Sequence, residues 1–455
     1  MDGRPDQRDD PPFERPVQPA NAVILRLPDE LLLKIVNNLF PFDPNSNERY
    51  GLSHREKYAD RDALSKTCVR FYRLAVHSMY TDLEVYLPYY PHLSHSAMMT
   101  VPQAEKLCDT LAKNPSFRLH CRSLRFFFDC EHYTARDRDI ITTLIRLLTQ
   151  TKSFAVIGAF ESDCEDDWGT IQDALGHMPL LEELSLTGRG DDAFPLLNIC
   201  AKLDGAKSLR VLTLNGNNSA EVDETLLRDT SRERSSPITS LHICEFWGRP
   251  ENLTKFLKWP ARLESFSFRG MSSEDTDSGG VWSLQTLLAG LRPHSASLKT
   301  LLLENRETLS LGLAGCDLTG FDALEKLQLS HWVTGNKVDP SWGLLNAPHL
   351  QEFCWSLTLR CLGTEHIADF KEEEDAWLRA LTAAVVARKL PLKKVRIKYI
   401  SLSEVHGEWV TDQRDRLDRL ERDMGAEGIS FSCDTLPQPE WVDIHVITCD
   451  NILED

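Results

Sequence analysis

The hexamer "LEELSL" at residues 181–186 spaces Leu181, Leu184 and Leu186 by three and then two positions, and the arrangement returns in "LRVLTL" at 209–214 and "LKTLLL" at 298–303. Its second half alternates apolar with polar, the period that sends side chains to opposite faces of a strand. Further copies are "ITSLHI" (238–243), "LESFSF" (263–268), "LEKLQL" (324–329), "LQEFCW" (350–355) and "LKKVRI" (392–397), with weaker ones, "CRSLRF" and "TKSFAV", starting at Cys121 and Thr151. The ten copies begin 25 to 42 residues apart. Such self-similarity marks a stacked array, because a single unit cannot bury its apolar face without neighbours.

Helical stretches separate most of the hexamers, among them "DIITTLIRLLTQ" (139–150), "WSLQTLLAGL" (282–291) and "DAWLRALTAAVVARKL" (375–390). A strand and a crossover helix per repeat, stacked in register, build an α/β solenoid: a curved parallel sheet with helices outside it. After residue 400, "EWVTDQRDRLDRLERDMGAEGISF" reads as a charged helix and "WVDIHVI" as a strand covering the last repeat's open edge.

The first 80 residues follow a different rule. Residues 1–22 are rich in Pro, Asp and Arg and too poor in aliphatics to offset their ordering entropy, so a disordered lead-in is expected. In "LRLPDELLLKIVNNL" (25–39), Pro28 suits a first helical turn and Asp29 and Glu30 complement the helix dipole. Leu31, Leu32, Ile35, Val36 and Leu39 then share one side at helical spacing. A polar insert with two prolines covers 41–62, after which "LSKTCVRFYRLA" (64–75) resumes the helical period. Three regions result: a tail over 1–22, an all-helical unit over 23–80, and an irregular repeat array over 81–455 with its cap at 401–455.

The hexamers resemble leucine-rich repeats over most of residues 118–400. They depart from that family's pattern at the position three past the last apolar residue. Asn is usual there and occurs here only as Asn217; elsewhere stand residues such as Arg189, Phe246, Met271, Arg306 and Trp332. The helical unit resembles an F-box: Leu27, Pro28, Glu30, Leu31, Ile35 and Leu39 match its first helix, and Cys68, Arg70, Phe71 and Leu74 its second block, with Thr67 where Val is usual. The long insert is a further departure.

The resemblance implies a role. F-box units dock a Skp-type adaptor and through it a cullin, while the repeats hold a protein substrate. It implies a non-catalytic substrate-recognition subunit of a Skp-cullin-F-box ubiquitin ligase, in which Leu27, Pro28, Glu30, Leu31, Ile35, Leu39, Leu64, Cys68 and Phe71 make or support adaptor contact. A repeat protein that binds or scaffolds outside any ligase is the alternative.

Other functions find little support. A net charge of -18 opposes phosphate neutralisation, so nucleic acid is not an expected partner. No apolar run is long enough for a membrane span, and the N-terminus lacks a secretory apolar segment, so an intracellular setting, cytoplasmic or nuclear, is expected. The 12 cysteines form no C-x-x-C pair and read as reduced thiols, Cys68, Cys200 and Cys244 lying in apolar stretches. No phosphate loop, nucleophile elbow or H-E-x-x-H helix occurs, so neither cofactor nor metal is expected. His242 reads as an exposed residue of the sheet's open face, the acids of "ESDCEDDW" (161–168) as a solvated helix cap, and those of "KEEEDAW" as dipole partners. Lys394, Arg396 and Lys398 alternate with apolar residues and would line one face, a candidate site for an acidic substrate segment. The competing reading is a solvated strand balanced by nearby acids. Trp247, Trp332 and Trp355 are candidate aromatic contacts or else core residues.

Overall fold

A computed structural model describes residues 27–39, 63–64, 66–87, 101–128, 134–158, 165–188, 196–216, 230–244, 246, 249–269, 283–304, 316–330, 343–357, 370–400 and 409–436. They divide into two compact units, one ending at Leu83 and the other beginning at Glu84. The expected lead-in over 1–22, the polar insert over 41–62, and the strand "WVDIHVI" lie outside the described residues.

In the larger unit every hexamer is a strand. They are β2 (Ser123–Phe128), β3 (Ser153–Ile157), β4 (Glu183–Thr187), β5 (Val211–Asn215), β6 (Ser240–Cys244), β7 (Ser265–Arg269), β8 (Thr300–Glu304), β9 (Lys326–Ser330), β10 (Glu352–Ser356) and β11 (Lys394–Ile400). Two strands outside the hexamers complete the sheet, β1 (Asp82–Leu87) before them and β12 (Ser430–Leu436) after. All twelve pair in chain order in one curved parallel sheet.

Stacking is in register residue for residue. Leu186 pairs with Leu214, Leu214 with Ile243, and Ile243 with Phe268, so each apolar position becomes a column running through the repeats. Both strand columns are buried, Leu184 and Leu186 as fully as Phe353 and Trp355. A backbone device locks the register before each strand. The carbonyl of the hexamer's second residue accepts two N–H donors from the next repeat: Arg122 from Lys152 and Ser153 at 2.8 and 2.9 Å, Glu182 from Arg210 and Val211 at 2.7 and 3.0 Å, and so on to Gln351. A one-residue slip would break this column and turn every apolar side chain to the wrong face.

Helices fill the connections: α3 (Val101–Lys113), α4 (Ala135–Leu147), α5 (Glu165–His177), α6 (Leu196–Lys202), α7 (Pro250–Phe256), α8 (Leu284–Leu291), α9 (Glu372–Arg388) and α10 (Trp409–Ala426), α1 and α2 belonging to the smaller unit. Their starts are encoded locally. Thr134 and Asp137 form a reciprocal capping box on α4, and Ser283 caps α8 by accepting from Thr286 N–H at 3.0 Å. Glu372 to Asp375 occupy the first turn of α9, where Glu374 accepts from the Lys371 N–H at 2.7 Å, as the dipole reading of those acids expects. The "ESDCEDDW" acids from Glu165 onward belong to the first turn of α5 itself. Trp377 of α9 stacks on Trp355 of β10 with centroids 4.5 Å apart, so this helix packs on the buried face of the sheet.

The smaller unit holds α1 (Asp29–Leu39) and α2 (Val69–Thr81), which pack on one another. Phe71, Ala75 and Ser78 of α2 recur at helical spacing and are buried, as is Leu32 of α1.

Candidate docking surfaces

The residues expected to bind fall on two surfaces, one in each unit. On the smaller unit, Arg70 ties the helices together: its Nε donates to Asp29 Oδ1 at 2.6 Å and its Nη2 to the Leu27 carbonyl at 2.5 Å. Asp29 is largely exposed, so this ion pair contributes well under about 1 kcal/mol and acts mainly to set the helices' placement. Cys68 precedes α2 in extended conformation, and its Sγ accepts from the Phe71 N–H at 3.4 Å as a cap.

That arrangement sorts the expected contacts. Leu31, Pro28 and Glu30 are exposed, and Leu27, Leu64 and Cys68 are half-buried. Phe71 is buried, which makes it a support of the surface and removes it from the contact itself. Ile35 and Leu39 lie in α1, their side chains outside the described residues. Two exposed apolar residues lie outside the expected set: Val69 and Tyr72 sit three apart on α2 with 64% and 47% of their surfaces open, and Leu31 on α1 is 46% open. The signal was present in "CVRFYR", where an aromatic and a β-branched residue flank the core residue Phe71 off the buried stripe.

On the larger unit, the positions alternating with the apolar columns line the open face of the sheet, and they change character along it. At β1 and β2, Tyr86 stacks on Phe127 with centroids 4.0 Å apart and Arg125 pairs with Glu84 at 3.1 Å. Small residues follow: Ala155, Ser185, Thr213 and Ser267. His242 lies among them, half-buried where exposure was expected, its ring hydrogen-bonded to Ser240 Oγ at 2.9 Å. Burial holds its pKa below the ordinary histidine range.

From β7 onward charge dominates. Buried Glu304 accepts from Arg269 Nε at 2.8 Å and from Gln328 Nε2 at 2.9 Å, and Gln328 Oε1 accepts from Lys398 Nζ at 3.0 Å. Lys398 reaches across β10 past Cys354 and Ser356, the small residues that strand carries on this face beyond Glu352. Glu352 draws three cations: Arg396 at 3.0 Å, Lys326 at 3.3 Å and Lys394 at 3.9 Å. Arg396 also pairs with Asp434 of β12. Burial opposes ionisation of Glu352, but the Arg396 hydrogen bond and the lysines outweigh it and hold the carboxyl below its usual range. Lys394, Arg396 and Lys398 therefore do share one face, and acids on both neighbouring strands balance much of their charge.

The tryptophans divide differently. Trp355 is 1% exposed and belongs to the core column, not to a surface, which removes it from the candidate contacts. Trp247 and Trp332 lie outside the described residues. Phe246, standing where the repeat family usually has Asn, is fully buried against Phe268 with centroids 6.2 Å apart, so an aromatic side chain fills that place in this repeat.

Gly158, Gly188 and Gly216 end three successive repeats and were also overlooked. Their N–H groups donate to Thr187, Asn215 and Cys244 carbonyls at 2.9 to 3.1 Å, carrying the ladder one residue past the strands. Gly216 has φ +77, and a Cβ there would stand 3.1 Å from the Gly188 carbonyl oxygen.

Among the described residues no three His, Cys, Asp or Glu side chains converge as a metal site, and no helix is long and apolar enough to cross a membrane. The described cysteines are free thiols; Cys200 is buried, Cys68 and Cys244 half-buried. Burial raises the Cys433 thiol to about 12 and the Cys108 thiol to about 11, with neighbouring acids adding to both, so neither is a nucleophile at neutral pH. Comparison with known proteins gives no match, either to a protein-family model or to a curated sequence.

Proposed function

We propose that the chain is the substrate-recognition subunit of a Skp-cullin-F-box type ubiquitin ligase. Its helical unit docks the adaptor, and its repeat sheet holds a protein for modification by the ligase's catalytic subunits. The observation that supports this most is the exposure of Leu31, Val69 and Tyr72 on a small helical unit whose apolar core, among the described residues, is Leu32, Phe71, Ala75, Val76 and Leu83. A unit this small gains little by keeping three large apolar side chains in water, and a partner's surface that covers them makes sense of the cost. Full burial of an aliphatic side chain is worth roughly 1.5 to 3 kcal/mol, so completing the half-covered ones gives about 1 kcal/mol each.

The repeat unit suits the second half of the task. Twelve strands in register present one face whose chemistry changes from aromatic through small and polar to charged, a broad surface for a protein. The chain then contributes to the reaction by holding the substrate near the ligase's catalytic centre, an effect of proximity.

Co-purification from cells tests the reading. The intact chain is expected to carry both a Skp-type adaptor and a cullin, and Leu31→Asp with Tyr72→Asp to lose both. Leu119→Asp, a charge placed on a still more exposed leucine of the other unit, should retain them. Adaptor capture that survives the double substitution would dismiss the docking surface, and an adaptor without a cullin would exclude the ligase role.

A further inference from the structure

We infer that the open face over β9–β12 docks an acidic peptide segment, with Lys394 and Lys398 as the cations that receive it. The inference rests on the substrate-receptor reading for its purpose and adds the chemistry of what is received.

Charge balance on that face carries it. Among the described residues of β9–β12 on this face, Lys326, Lys394, Arg396 and Lys398 stand against two carboxylates, Glu352 and Asp434. Arg396 is consumed by bridging both acids, and Lys326 lies closer to Glu352 than Lys394 does. Lys394 is left with the longest of the Glu352 contacts, 3.9 Å, and a side chain more open than those of Lys326 and Arg396, 41% exposed. Lys398 donates to Gln328, a neutral amide whose other end is held by Glu304. A ladder serving stability alone would match each cation with an acid, as Arg269 matches Glu304 and Arg125 matches Glu84 further along the same face. Two positive charges therefore remain on β11, four residues apart and on either side of Arg396.

The setting sharpens the selection. The chain as a whole carries a net charge of -18, so its distant field repels an acidic ligand and any attraction has to come from local cations. Ammonium groups meet carboxylates as point charges with rotatable donors, and they accept an irregular acidic segment without demanding planar geometry. A carboxylate that takes Lys398 from Gln328 exchanges a hydrogen bond to a neutral amide for one to an oppositely charged group. A segment with two acids spaced to reach both lysines is the natural occupant.

The test uses the full chain and a fluorescein-labelled octaglutamate peptide, followed by fluorescence anisotropy at low salt. Wild type is expected to bind, Lys394→Glu with Lys398→Glu to weaken binding by about tenfold or more, and Lys394→Arg with Lys398→Arg to retain it. Lys152→Glu, which alters a half-exposed lysine paired with Glu182 far along the sheet, should bind as wild type does. Circular dichroism on every variant confirms folding, and the arginine pair keeps the test valid if the glutamate pair unfolds. No binding by wild type, equal binding by the glutamate pair, loss in the arginine pair, or an equal loss in Lys152→Glu would each overturn the inference. So would binding confined to a phosphoserine peptide of the same length. Adaptor binding measured on the same samples separates the two readings. Adaptor retained with no peptide binding defeats this surface alone, whereas peptide binding in a chain that takes no adaptor defeats the ligase reading and leaves this surface standing.

Discussion

Replacing Trp355 by Ala distinguishes a core tryptophan from a surface anchor. Trp355 is fully buried in β10 and stacks on Trp377 of α9, which also meets Phe353 with centroids 5.9 Å apart. Truncating a buried Phe or Trp to Ala costs about 3 to 5 kcal/mol, and the lost aromatic pair accounts for a further 0.5 to 1.5 kcal/mol. In a stacked array this loss stays with the affected repeat and its neighbours and does not spread over the whole chain. Hydrogen exchange with peptide resolution is therefore the assay, since a single unfolding free energy is not defined when repeats open separately. A loss of about 4 kcal/mol speeds exchange close to a thousandfold, at 1.4 kcal/mol per factor of ten. That acceleration should appear in β9, β10 and β11 while β2–β5 keep their protection. Unchanged exchange in β9–β11, with binding of a partner lost, would refute the assignment of Trp355 to the core.

Acidification should weaken the repeat unit through two histidines. His294 accepts from the Leu263 N–H at 3.2 Å through Nδ1 and donates through Nε2 to the Leu257 carbonyl at 2.6 Å, so a proton on Nδ1 would set two donors against each other. Burial first, and then Arg234 nearby, hold its pKa below the ordinary value of 6.5, against the opposing pull of the Leu257 bond; burial alone does the same for His242. The unfolded chain thus takes up protons first: this stability is complete above about pH 6.5 and lost as pH falls through it. Urea midpoints measured between pH 7.5 and 5.5 should fall, and less steeply in His294→Gln. Gly216→Ala, which puts a Cβ into the left-handed region and against the Gly188 carbonyl, should cost about 1 to 2 kcal/mol, read as an earlier urea midpoint. Cys433 and Cys108 should resist iodoacetamide at pH 8 in the folded chain and react on unfolding, as mass spectrometry of the labelled peptides would reveal.

The repeat architecture was legible because one short pattern carries it. Each hexamer places its apolar residues in columns that the strands then occupy without a slip, and all ten became strands. β1 and β12 were not legible because their hexamers are broken at the first position. In β1 the place of that leading apolar residue falls to Tyr80, which belongs to α2, and in β12 it falls to Gly428 with φ +79. Trp355 stands at the last apolar position of "LQEFCW", and of its two readings, contact or core, that column decides for the core. The surfaces were less legible than the core. That Lys394, Arg396 and Lys398 share a face follows from a period of two, but their balance by Glu352 and Asp434 depends on strands 42 and 36 residues away in sequence. Phe71 and Tyr72 are adjacent aromatics in a helix, and only the placement of α1 by Arg70 decides which of them is covered.

Titration calorimetry between the purified full chain and a purified Skp-type adaptor tests the central reading most directly. A one-to-one complex with a dissociation constant of about 1 μM or below is expected, an affinity of about 8 kcal/mol to which the apolar contacts at Leu31, Val69 and Tyr72 contribute. Leu31→Asp with Tyr72→Asp should weaken it at least a hundredfold, near 3 kcal/mol. No heat of binding with adaptor concentrations up to about 100 μM, for a chain whose circular dichroism shows it folded, would contradict the reading.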